Sequence, residues 1–147
     1  MQNTIGWLLN RASYGWRIVV DNAMKELGLT QSGWMTMLHL HRLGEGCSQK
    51  ALAANIGIEQ PTLQRSVNSL QECGYVQRKA CAEDARVKTL WFTEQGRAML
   101  ERMEAIAADC RAEMLEGLTD RECEQFSQLL EKVLDNANTK LRRTHDN

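Results

Sequence analysis

"IEQPTLQRSVNSL", residues 58–70, holds the chain's only proline and decides how the rest is read. At helical spacing Leu63, Val67 and Leu70 fall on one side, an apolar stripe that needs burial. The other side carries Thr62, Arg65, Asn68 and Ser69. An ordinary solvated helix face is rich in Glu and Lys, because long charged side chains suit exposed helix. This one is small, polar and almost free of acids. Pro61 suits the first helical turn, where its missing N–H removes no hydrogen bond, and Gly74 ends the helix.

Immediately upstream, Ser48 can cap a short helix, "QKALAANI" (49–56), that stops at Gly57. Two helices joined by so tight a turn form a helix-turn-helix over approximately 48–73. In that motif the second helix lies in the DNA major groove, with its N-terminal residues near base edges. Thr62, Ser66 and Ser69 are small enough to let the backbone near a duplex and can donate to phosphates or bases. Arg65, the only cation on that face, suits a bidentate contact to guanine. A helical packing module with a polar exterior has the same pattern, so the helices alone do not separate the two.

The next segment tips the balance. "YVQRK" (75–79) and "VKTLWF" (87–92) are rich in β-branched and aromatic residues, with Leu90 and Phe92 on one face and Trp91 on the other. Between them lies the charged "ACAEDAR" (80–86). The pattern predicts two short strands with a projecting loop, a wing over approximately 75–92. Arg86 and Lys88 fall at or near its tip, and an arginine on a thin loop can enter a narrow minor groove. Asp84, two residues before Arg86, is expected to orient an arginine, Arg65 or Arg86, through a charge-assisted hydrogen bond. A solvated loop of mixed charge is the weaker alternative, because the hairpin directly follows the helix-turn-helix.

The flanks are helical. Ile5, Leu8, Ala12, Trp16, Val19, Ala23 and Leu27 predict a long amphipathic helix over 5–27, closed by Gly28. Ser32 is expected to cap a helix that carries Trp34, Met35, Leu38 and Leu43. Thr93 caps another, over 94–116, and "LTDRE" (118–122) is a capping box opening a last helix over 119–143. The three long helices have more apolar face than so small a core can cover, which marks an interface. Two-fold DNA recognition places half-sites about 34 Å apart, so a dimer is the expected solution. The expected fold is mainly α (α+β): one domain over 1–147, with a winged helix-turn-helix at approximately 32–93. Dimerisation helices are expected at approximately 1–30 and 94–147.

Bulk properties bound the function. With 147 residues and a formal charge of -1, no strong overall field drives binding. Residues 48–92 are mildly basic and residues 93–147 acidic. Five scattered cysteines without a C-x-x-C pair argue against a disulfide framework or structural zinc, and for a reducing cytoplasm. No apolar run reaches membrane-spanning length and the N-terminus lacks a signal-peptide pattern, so the expectation is a cytoplasmic protein without a membrane partner. His39 and His41 point apart on a helix and cannot share a metal. No phosphate loop, nucleophile–base arrangement or carboxylate pair is present, so neither an enzyme nor a cofactor is expected. Cys81, close to Arg78, Lys79 and Arg86, is the one candidate redox thiol; a structural or merely exposed cysteine is the favoured alternative.

The stretch "DARVKTLWFTEQG", with Asp84, Arg86, Thr93 and Gly96, resembles the wing signature of the MarR family of transcription regulators. "LTQSGW" (29–34), "IGIEQPTLQRS" (56–66) and "CAEDAR" (81–86) are most similar to its SlyA/RovA-like branch. The resemblance implies a homodimer whose first and last two helices intertwine. Each side would place a winged helix on half of a palindromic, AT-rich double-stranded DNA site, to repress or activate transcription. By position it implies Pro61, Thr62, Arg65, Ser66 and Ser69 at the major groove and Arg86 in the minor groove. Ala85 departs from the pattern, since many members carry a second arginine there. The resemblance also places Trp16, Arg17 and Trp34 where family members hold a small aromatic carboxylate effector such as salicylate. Tyr14 and Leu38 depart from that pocket, and core packing of the two tryptophans is the favoured role. The rival function is a winged helix for protein–protein contact without DNA, which acids across the reading face would have supported.

Overall fold

The computed structural model describes residues 4–145. Helix α1 spans Ile5–Met24, opened by Thr4, whose hydroxyl accepts from the Trp7 N–H at 3.2 Å. The helix expected over 5–27 tightens at its end into a 3-10 turn, Lys25–Leu27, and stops at Gly28. Helix α2 covers Gln31–Leu43 and is capped by Thr30, not Ser32: Thr30 Oγ1 accepts from the Gly33 N–H at 3.2 Å. Ser32 therefore lies inside the first turn. Its hydroxyl accepts instead from Ser66 Oγ at 2.9 Å, tying α2 to the helix that holds the apolar stripe.

Ser48 caps α3 (Gln49–Ile56) as expected, accepting from the Ala51 N–H at 3.0 Å. Gly57 takes φ 85°, a left-handed conformation that costs glycine little and a β-carbon much. The chain can thus turn at once into α4 (Gln60–Glu72), with Pro61 in its first turn. Leu63, Val67 and Leu70 are buried, as the apolar stripe requires. They join Met24, Met37, Leu40, Leu52, Leu90 and Met103 in one core fed by α1 to α4, the hairpin and the helix that follows it. Each such side chain contributes roughly 1.5–3 kcal/mol on burial.

Strands β1 (Val76–Ala80) and β2 (Lys88–Phe92) pair antiparallel, in register from Val76 opposite Phe92 to Ala80 opposite Lys88. Leu90 and Phe92 face the core and Trp91 the other side, as the alternation predicts. A short rung on the free edge of β2 was not foreseen. The Gly46 N–H donates to the Leu90 carbonyl at 2.8 Å, and the Leu90 N–H donates to the Cys47 carbonyl at 3.0 Å. Glu45 completes that edge: one carboxylate oxygen accepts from the Phe92 N–H at 2.8 Å and from Arg97 Nη2 at 3.1 Å.

Helix α5 (Glu94–Met114) starts where the hairpin ends. The Thr93 hydroxyl accepts from the Gly96 N–H at 2.9 Å and donates to the Gly74 carbonyl, so one side chain joins the ends of α4 and β2 to the start of α5. The chain divides into a unit that ends at Cys110 and a second that begins at Arg111. In the second, the capping box opens α6 (Asp120–His145): the Glu122 N–H donates to Thr119 Oγ1 at 3.1 Å and the Thr119 N–H to Glu122 Oε1 at 2.9 Å. Phe126, Leu129, Leu130, Val133, Leu134 and Leu141 of α6 are all exposed.

Candidate nucleic-acid interface

The face of α4 opposite its buried stripe carries Pro61, Arg65, Asn68 and Ser69, all exposed, with Thr62 half-buried at its margin. No acid occurs between Gln60 and Gln71. Arg65 Nη2 reaches Thr62 Oγ1 at 3.4 Å, a long bond that leaves the guanidinium's remaining donors outward. Ser66 is placed differently from its neighbours. It is only 7% exposed, and its hydroxyl turns inward to Ser32. Asn68, noted on the polar side but not singled out as a reader, stands beside Arg65 one turn further along. Its amide offers the donor–acceptor pair that suits adenine. The spacing from Pro61 and Arg65 was the signal for it.

The wing presents its arginine on a fixed mount. Asp84 Oδ1 accepts from the Arg86 backbone N–H at 3.0 Å and from Arg86 Nε at 3.1 Å, while Oδ2 accepts from Nη2 at 3.4 Å. These bonds, the side-chain ones first, hold the Asp84 carboxyl below the usual aspartate range. The Val87 N–H donates to the Asp84 carbonyl at 3.0 Å and the Cys81 N–H to the Val87 carbonyl at 2.9 Å, closing the loop. Of the two arginines open to Asp84, the partner is Arg86, whose side chain is still 91% exposed. Lys88 is exposed at the start of β2.

Arg78 is the residue missed in the sequence. Its Nε donates to Gln49 Oε1 at 2.6 Å, its Nη1 to Gln71 Oε1 at 2.8 Å and its Nη2 to the Gln64 carbonyl at 3.3 Å. Desolvation by burial pulls its pKa below the ordinary arginine value. The signal was present: alternation from the buried Val76 puts position 78 on the same face, where a cation needs acceptors.

Trp16 is half-buried against the core and Arg17 is exposed. Trp34 is 7% exposed, and its indole N–H donates to Asp21 Oδ1 at 2.9 Å. Cys81 is half-buried where the wing loop leaves β1, and burial pushes the Cys47 thiol above its ordinary value. His39 Nδ1 meets Asn55 Oδ1 at 3.1 Å and His41 Nε2 meets Glu104 Oε1 at 3.0 Å, so the two imidazoles diverge as expected. Among the described residues no three His, Cys, Asp or Glu side chains could hold a metal ion, and no helix is long and apolar enough to cross a membrane.

A polar helix face beside an arginine-tipped hairpin defines a winged helix-turn-helix protein of the DNA-binding class. The MarR family model matches residues 27–87. The crystal structure of the transcriptional regulator PA3341 is 36% identical, with a TM-score of 0.84 over 92% of this chain and 99% of that one. A MarR-family transcriptional regulator from Silicibacter pomeroyi is 27% identical, with a TM-score of 0.75 over 89% of this chain and 88% of that one. A MarR transcriptional regulator from Methanosarcina mazei Go1 shares the fold at a TM-score of 0.84, with 22% identity over 92% of this chain and 96% of that one. The chain belongs to the MarR family, whose members are transcriptional regulators, not enzymes; they bind DNA and act as dimers.

Proposed function

We propose that two copies of this chain, joined through their terminal helices (approximately 1–30 and 94–147), bind one palindromic, AT-rich promoter site and control transcription by occupying it. The regulator blocks polymerase or displaces another DNA-bound protein. In each copy Pro61, Thr62, Arg65, Asn68 and Ser69 meet the major groove, while Arg86 enters the minor groove with Lys88 on the flanking phosphates. The resemblance of residues 29–34, 56–66 and 81–86 supports the SlyA/RovA-like branch. One observation carries the proposal: an acid-free exposed face on α4 lies in the same unit as an arginine mounted by three hydrogen bonds to Asp84. Acids across the α4 face would have favoured a protein-contact surface, and none occurs there.

Ser66 supports the site from within, because its hydroxyl already serves Ser32. An aromatic-carboxylate effector at Trp16, Arg17 and Trp34, with Arg17 as the cation and the tryptophans as walls, stays second to core packing, in which the Trp34 indole N–H donates to Asp21 Oδ1. The test is in vitro selection of bound duplexes by the purified protein at stated salt, with its mass measured in solution. A two-fold symmetric motif with half-sites about one helical turn apart is expected from a dimer. A monomer without preference over random competitor would overturn the proposal.

A further inference from the structure

Arg78 touches both helices of the helix-turn-helix from the wing strand. Gln49 is the first residue of α3, Gln71 lies in the last turn of α4, and Gln64 is in the middle of α4, directly before Arg65. A planar guanidinium has its donors in a rigid fork, so satisfying three acceptors at once fixes angles as well as distances. Ammonium cannot do the same, being a point charge on a flexible stem. Strand β1 leads from Arg78 through Ala80 into the loop that carries Arg86. The guanidinium therefore stands between the two reading elements.

We infer that Arg78 is a positioning residue for sequence recognition: it sets the rotation of α4 relative to the wing, so that Arg65 and Arg86 engage their two grooves in one register. It does this through the protein: three of its five N–H donors are held by Gln49, Gln71 and Gln64. The inference rests on the DNA-binding function proposed above. Loss of the fork should lower affinity for the correct sequence while leaving the nonspecific, phosphate-driven term in place.

The test compares wild type with Arg78→Lys on two duplexes, the best wild-type selection product and a random sequence, across a salt series. The expected result is a loss of about tenfold on the selected duplex, the scale of one charge-assisted hydrogen bond. Binding to the random duplex, and the slope of affinity against salt, should stay as in wild type. The double variant Gln49→Ala/Gln71→Ala keeps the cation and removes two acceptors, so it should reproduce the effect if the lysine variant folds poorly. An unchanged ratio of selected to random binding in both overturns the inference, as does an equal loss on both duplexes with a shallower slope, the mark of a phosphate contact. A wild-type protein that prefers no duplex removes the underlying function instead, a result visible before any variant is made.

Discussion

Gly96 is where a single methyl group should do most damage. Within a helix, Gly→Ala ordinarily stabilises, by about 0.5–1 kcal/mol. At position 96 a β-carbon would lie 1.9 Å from the Tyr75 carbonyl oxygen and 2.9 Å from its carbon, both backbone atoms. A comfortable carbon–oxygen approach is about 3.3 Å, so the start of α5 and the residue before β1 would have to part by more than ~1 Å. That movement strains the Thr93 N–H bond to the Tyr75 carbonyl, now 3.0 Å, and the Thr93 hydroxyl bond to Gly74. Overpacking costs about 1–3 kcal/mol and each weakened hydrogen bond about 1 kcal/mol. After the helix gain is subtracted, Gly96→Ala should lose about 2–4 kcal/mol. For a chain of this size the melting temperature should fall by roughly 5–15 °C. Urea unfolding of both proteins at one fixed concentration measures it, since a dimer's stability depends on concentration. A variant as stable as wild type, or more so, would show that the hairpin base and α5 do not meet as described.

The other predictions concern the interface and its scaffold. Arg65→Ala should cost roughly 1–3 kcal/mol and relax preference at one position of each half-site, which competition with substituted duplexes would reveal; uniform weakening across sequences would mean a phosphate contact instead. Arg86→Ala should weaken binding most where the flanks are AT-rich, and Asp84→Asn should do so less, since the arginine stays but loses its mount. Because Asp84 is depressed below its ordinary 3.8, its ion pair is present above that value and lost only as pH falls through the lower folded one. Wild-type affinity should therefore show no step from Asp84 between about pH 6 and 8, and one there would contradict the pairing. Leu134→Glu, on the exposed apolar face of α6, should shift the protein toward monomer in sedimentation, because burying a charge in each copy opposes association; an unchanged dimer would place the interface elsewhere. Cys81→Ser and wild type should lose DNA binding equally after peroxide, and protection by the serine would make Cys81 the sensor.

What was legible in the sequence was what neighbours along the chain decide. The stripe of Leu63, Val67 and Leu70, the Gly57 turn, the Thr119–Glu122 capping box and the alternation around Trp91 are each set within a few residues. Choices between equal local options were not legible. Thr30 and Ser32 are both good caps two residues apart, and with Thr30 as the cap Ser32 lies against Ser66, 34 positions away. Asp84 could serve either arginine until the loop closed through Val87 and Cys81 onto Arg86. The rung at Gly46 and Cys47, and the Glu45 carboxylate that finishes it, pair residues more than forty positions apart, and no periodicity records that. Arg78 lies between the two cases. Its strand parity showed that it would face inward and need acceptors, while only the packed structure shows that those acceptors are Gln49, Gln64 and Gln71. The reading residues are thus written locally, on one helix face and one loop, whereas their mutual orientation depends on polar bonds between distant segments. Substitutions at the first should change which bases are preferred, and substitutions at the second should change how sharply.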